Sequence, residues 1–144
     1  MLSRSVEAIN DPTPERIRKR LEWLMASPDR VTDELVDVRR AIYSEPRTKE
    51  VLSALFPDAF STPGKVEYML SPEQLQTITA PTLVLWSDHN PGIGPDVGEY
   101  IASLIPGAQF YCMADASHWP QWERPEEHDD VVLRFLAGER VDGR

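Results

Sequence analysis

Over the first part of the chain, apolar positions recur at helical spacing. Ile17, Leu21, Leu24 and Met25 fall at i, i+4, i+7 and i+8, one face of an amphipathic helix. Thr13-Pro14 ahead of them reads as a cap followed by proline at the first helical position. Ser27-Pro28-Asp29 breaks that helix. Thr32 caps a second one, with Leu35, Val38 and Ile42 marking its buried side and Arg39 and Arg40 on or beside it. A third, short helix is expected from Thr48 to Leu55, stopped by Pro57. Phe60 to Met69 shows no decisive pattern. Ser71-Pro72-Glu73-Gln74 has capping-box spacing, serine with glutamine three residues on.

The texture changes at Ala80. "PTLVLW", residues 81 to 86, is an unbroken apolar run of strand length. A run without alternation predicts a strand buried on both faces, as in a parallel sheet. "SDHNPGIGP" reads as a loop. A helix follows over 95 to 105, with Val97, Ile101 and Leu104 on one face, ended by Pro106-Gly107. "AQFYCM", 108 to 113, is a second strand, and a loop holding His118 comes after it. Pro125 to Leu136 closes the chain as a helix bearing Val131, Val132, Phe135 and Leu136. The chain thus divides into a helical region, 1–70, and a region 71–144 wired strand–loop–helix–strand–loop–helix. That alternation is α/β wiring. Two parallel strands do not make a stable sheet alone, so further strands are expected from elsewhere.

Bulk properties narrow the partners. A net charge of −9 repels phosphate backbones and argues against nucleic acid. No apolar stretch approaches the about 20 residues of a membrane span. The opening residues lack the apolar core of a signal peptide. A single cysteine, Cys112, excludes an intrachain disulfide and fits a cytoplasmic setting. A small-molecule substrate and a homo-oligomer are the expected partners.

In α/β sheets, chemistry collects in loops beyond the carboxyl ends of strands. Here one loop carries Ser87, Asp88, His89 and Asn90, and the other Asp115, Ser117, His118 and Trp119. An acid after one strand and a histidine after the next is the order of the α/β-hydrolase triad. There the histidine takes the serine proton, and the carboxylate fixes its tautomer. Taken alone, His118 is equally well a packed ring. Its neighbours Trp119, Pro120 and Trp122 suit an apolar pocket with a few polar groups. His89, His118 and His128 lack metal-ligand spacing, so no metal is expected, and His128, in a charged helix opening, reads as solvated.

"SHWPQWERP", residues 117 to 125, resembles the histidine motif of the meta-cleavage product hydrolases, carbon–carbon bond hydrolases of the α/β-hydrolase superfamily, with Ser117 for their usual glycine. "VTDELVDVRRAIYS", residues 31 to 44, resembles their lid helix. The fold implied is lid helices followed by the C-terminal strands and helices of an α/β-hydrolase parallel sheet. The resemblance makes His118 the catalytic histidine, Trp119 a wall of the substrate pocket, and Arg39 the partner of the substrate carboxylate. Arginine suits that task because its planar fork makes two parallel hydrogen bonds. It implies hydrolysis of a C–C bond in a ring-fission product of aromatic degradation, without a cofactor.

The acid departs from the pattern. The family position for the aspartate is Asn90, and a carboxylate sits two residues earlier at Asp88. Asparagine can orient an imidazole but cannot neutralise an imidazolium, and that exchange in a serine triad costs roughly 10⁴ in kcat. Asp88 is preferred as the partner of His118, with Asn90 or an acid from elsewhere as alternatives. No G-x-S-x-G occurs in the sequence. An N-terminal half carrying the serine, from the same gene or a second chain, is therefore expected, and this chain alone should be inactive. The rival readings are an α/β-hydrolase for an ester or other substrate, and a non-catalytic binding module.

Overall fold

The computed structural model describes residues 2–60, 70–141 and 143. Contacts divide it into two compact units. The helices up to Trp23 and from Ser27 onward form one; Leu24–Ala26 with the residues from Leu70 onward form the other.

The first unit is helical. It comprises α1 (Leu2–Asn10), most of α2 (Pro14–Leu24), α3 (Asp33–Ser44) and α4 (Pro46–Phe60). Helix α1 packs on α3 and α4. The core collects Ala8 and Ile9 from α1, Ile17 and Leu21 from α2, and Val36 and Tyr43 from α3. The caps follow the sequence: the Thr13 hydroxyl accepts from Arg16 N–H at 3.3 Å, and that of Thr32 from Leu35 N–H at 3.1 Å. One helix goes unpredicted and two expectations need correction. Helix α1 is not among the elements expected above, although Leu2, Val6 and Ile9 fall at i, i+4 and i+7, the spacing of one helical face. Helix α4 does not stop before Pro57 but runs to Phe60, because a proline removes one backbone hydrogen bond without forbidding the helix beyond it. In α3 the buried residues are Val36 and Tyr43, whereas Val38 and Ile42 are 51% and 44% exposed. That helix carries apolar residues around much of its circumference, and its packing partners choose among them. The stretch from 61 to 69 lies outside the described residues.

In the second unit the capping box forms as its spacing predicts. The Ser71 hydroxyl accepts from Gln74 N–H, and the Gln74 side chain returns to Ser71 N–H, opening α5 (Pro72–Leu75). Strand β1 (Leu83–Ser87) runs parallel to β2 (Gln109–Met113), in register from Leu83 opposite Gln109 to Ser87 opposite Met113. Gly143 bridges β2 at Tyr111, where a Cβ would lie 2.6 Å from the ring. Helix α6 (Pro95–Leu104) joins the strands and packs against both. Its buried face is Gly98 and Ala102, continued by Ile105, one position round from the expected Val97, Ile101 and Leu104. The cause is Trp86: its indole lies where a Cβ on Gly98 would sit, 2.7 Å away. Leu83 to Trp86 are half-buried rather than enclosed on both faces, since among the described residues only β2 pairs with their strand. After β2 come α7 (Pro120–Glu123) and α8 (Pro125–Leu136), which turns Val131 into the core.

Candidate active site

The parallel pairing sets the two chemistry-bearing loops side by side at the carboxyl ends of β1 and β2. A mesh of hydrogen bonds holds them there. Asp88 N–H donates to the Met113 carbonyl at 3.1 Å, and His89 N–H to that of Ala116 at 3.0 Å. The Ser87 hydroxyl donates to the Ser117 carbonyl. The Ser117 hydroxyl donates to the His89 carbonyl at 2.8 Å. Both serines are buried. Ser117 is thus a staple between the loops, a role the glycine of the resembled motif has no side chain to fill.

Glu123 explains the acid of the same motif. One carboxylate oxygen accepts from Ser117 N–H at 2.6 Å, the other from Ala26 N–H at 2.6 Å. His118 N–H donates to the Leu24 carbonyl at 3.0 Å. The backbone at and before the histidine is therefore fixed independently of any partner of its ring.

The ring's Nδ1 pairs with Asn90 Oδ1 at 3.1 Å. Asp88, preferred from sequence, is instead committed to the loop. Its Oδ2 accepts from Asp115 N–H at 3.0 Å, and its Oδ1 from Ala116 N–H at 3.3 Å and from His89 Nδ1 at 2.6 Å. Burial pushes the Asp88 carboxyl up, but these hydrogen bonds, with the attraction of His89, outweigh it and hold the group below the usual carboxylate range. The reason for the exchange is local. Asp88 stands one residue past the strand end and faces the neighbouring loop's amides, whereas Asn90 lies beyond the turn closed by its own N–H on the Ser87 carbonyl at 3.4 Å.

Around this pair lies an open cavity of about 400 Å³, lined by Leu85, Trp86, Ser87, Asn90, Ser117, His118, Pro120, Gln121 and His128. His128, expected to be solvated, is partly buried in this wall and hydrogen-bonds Asp129 at 3.0 Å. Its position ten residues after His118, across the α7 turn, carries no usable sequence signal. Trp119 is half-buried at the start of α7, where its carbonyl accepts from Trp122 and Glu123 N–H. Among the described residues no three His, Cys, Asp or Glu side chains gather as a metal site. No described helix is long and apolar enough to cross a membrane.

Arg39 belongs to the first unit. Its guanidinium lies 5.6 Å from the centroid of the Tyr43 ring. Arg20, which sequence reasoning passes over, is held nearby by the same tyrosine. Burial lowers its pKa, the Tyr43 hydroxyl acts against that, and Arg39 reinforces it. Its Nε and Nη1 are buried without a hydrogen-bond partner among the described residues, and its guanidinium lies 5.8 Å from the Trp23 ring centroid.

A family model described as the alpha/beta hydrolase fold matches residues 15–125, well over half the chain. The chain belongs to the α/β-hydrolase family. Within it, the chain is similar to enzymes named 2-hydroxy-6-oxononadienedioate/2-hydroxy-6-oxononatrienedioate hydrolase. It is 28% identical over 127 residues to one from a Pseudomonas species, covering 88% of this chain and 43% of the relative. To one from Paraburkholderia phymatum it is 29% identical over 133 residues, with the same coverage. Among solved structures, the 2-hydroxy-6-oxo-6-phenylhexa-2,4-dienoate hydrolase of Rhodococcus sp. strain RHA1 superposes with a TM-score of 0.78 at 17% identity, over 94% of this chain and 48% of that one. A meta-cleavage product hydrolase of Pseudomonas fluorescens IP01 gives 0.75 at 22%, over 88% and 46%. These likenesses establish the fold. The chain spans a little under half the length of each of these proteins.

Proposed function

We propose that this chain supplies the lid and the histidine-bearing core of a serine hydrolase that cleaves a C–C bond in a ring-fission product of aromatic degradation. The observation that carries the reading is the His118–Asn90 pair at 3.1 Å, at the carboxyl ends of adjacent parallel strands and beside a cavity. The similarity to the dioate hydrolases gives it its substrate class. His118 transfers protons between a serine hydroxyl and the substrate. Arg39 holds the substrate carboxylate, and Trp119 flanks the substrate. Asn90 orients the imidazole, and Asp88 holds the loop. The serine and its oxyanion hole come from a segment carrying G-x-S-x-G, in the same gene or in a second chain. No cofactor is required by this chemistry.

The test is turnover by the assembled protein. A vinylogous 1,5-diketone acid should be consumed with loss of its visible absorbance, and His118→Ala should abolish this. Hydrolysis of a p-nitrophenyl ester without any consumption of the diketone acid would move the reading to an esterase. If no segment bearing G-x-S-x-G co-purifies or is encoded upstream in frame, the enzymatic reading fails.

A further inference from the structure

Replacing a triad aspartate by asparagine ordinarily does two kinds of damage. The charge goes, and the amide can turn its NH2 toward the histidine. A ring nitrogen facing an NH2 must accept, so the proton moves to Nε2 and the base is lost; this wrong-tautomer effect is what makes the exchange costly in a serine protease. An aspartate has no such ambiguity, because both its oxygens accept.

Here the amide is pinned. Asn90 Nδ2 donates to the Ile93 carbonyl at 3.0 Å. The same carbonyl accepts from Trp86 Nε1 at 3.3 Å. A backbone carbonyl only accepts, so the group facing it must be the NH2. Oδ1 then faces His118 at 3.1 Å. An amide oxygen only accepts, so His118 Nδ1 must carry the hydrogen, and in the neutral ring Nε2 carries the lone pair.

We propose that the Ile93 carbonyl, fixed by Trp86, orients the Asn90 amide so that His118 is held as the Nδ1–H tautomer. Asn90, Trp86 and the Ile93 backbone are positioning groups. The device restores the tautomer function of an aspartate while giving up its charge. Packing supports it. The Trp86 indole that donates to Ile93 packs on α6 against Gly98, where a side chain would collide with it. Gly92, at φ 90°, turns the chain back so that the Ile93 carbonyl meets the side chain three residues earlier. The inference rests on His118 as the base for its catalytic meaning, but the ring tautomer is measurable without turnover.

The experiment is a long-range ¹H–¹⁵N correlation spectrum of the full chain with ¹⁵N-labelled histidine, recorded above the imidazole titration. His118→Gln assigns the signals against those of His89 and His128. The expected result is a pyrrole-type Nδ1 and a pyridine-type Nε2 for His118. Asn90→Asp should keep that pattern, and Asn90→Ala should lose it. Trp86→Phe should weaken it toward a mixture. A pyrrole-type Nε2 in the wild-type chain overturns the proposal, as does an Asn90→Ala spectrum identical to wild type. Should Asn90→Ala fail to fold, the wild-type and Asn90→Asp spectra still decide. Failure of turnover with the Nδ1–H pattern intact would count against the hydrolase reading alone.

Discussion

The carboxylate of Asp88 accepts the backbone N–H of Asp115 at 3.0 Å, across the two loops. Asp115 is a non-glycine residue at φ 53°, a left-handed conformation that aspartate tolerates better than most. The bond therefore secures the turn that aims His118. Asp88→Ala should cost about 1–2 kcal/mol in urea unfolding, the low part of the range for charged hydrogen bonds because the side chain is 36% exposed. The folded-state pKa is depressed, so the stabilisation is complete above the ordinary value of 3.8 and is lost as pH falls through the folded value. The difference between wild type and variant should shrink below about pH 4, measured as urea midpoint against pH. A constant difference down to the acid transition would mean that the carboxylate charge plays no part.

Ser117 separates staple from chemistry. Ser117→Gly removes the hydroxyl that satisfies the His89 carbonyl and frees the backbone. A stability loss of about 1–2 kcal/mol is expected. Turnover by the assembled protein should remain within a few fold, since glycine is usual at this place in the resembled motif. Loss of turnover with stability unchanged would reverse the assignment.

Gly98→Ala places a Cβ against the Trp86 indole. The overpacking should cost about 1–3 kcal/mol. It should also shift the indole N–H resonance of Trp86 as its bond to Ile93 lengthens. A variant as stable as wild type, with that resonance unmoved, would show that the contact relaxes freely.

Arg20 has two buried nitrogens without partners among the described residues. Replacing it by methionine of similar length removes an incompletely compensated buried cation. The chain should gain about 1 kcal/mol in urea unfolding. Destabilisation instead would show that its packing on Trp23 matters more than its charge.

Arg39→Gln in the assembled protein should raise KM for a carboxylate-bearing diketone acid by about 10- to 100-fold, the loss of a charge-assisted pair. Arg39→Lys should recover part of it, because a point charge replaces the fork. Equal KM in all three would remove Arg39 from substrate binding.

Elements with local punctuation are legible in the amino-acid sequence alone. The capping box at Ser71, the Thr32 cap, the two strands and the helix over Pro125–Leu136 all carry their cause within a few residues. What chain neighbours do not decide is not legible there. Which face of α3 is buried depends on its partners, and which face of α6 on an indole from β1. The loop after β1 offers Asp88 and Asn90 two residues apart, and the amides that Asp88 accepts belong to the loop beside it, distant in sequence. Ser117 looks like a departure from a motif because its partner, the His89 carbonyl, is distant in sequence.

The Asn90-Pro91 bond has a consequence for the lifetime of the protein. An asparagine ages to aspartate when the nitrogen of the next residue attacks its side chain, and proline has no N–H to do so. Asn90 is thus shielded from that route, which would put a carboxylate where a neutral amide now meets His118.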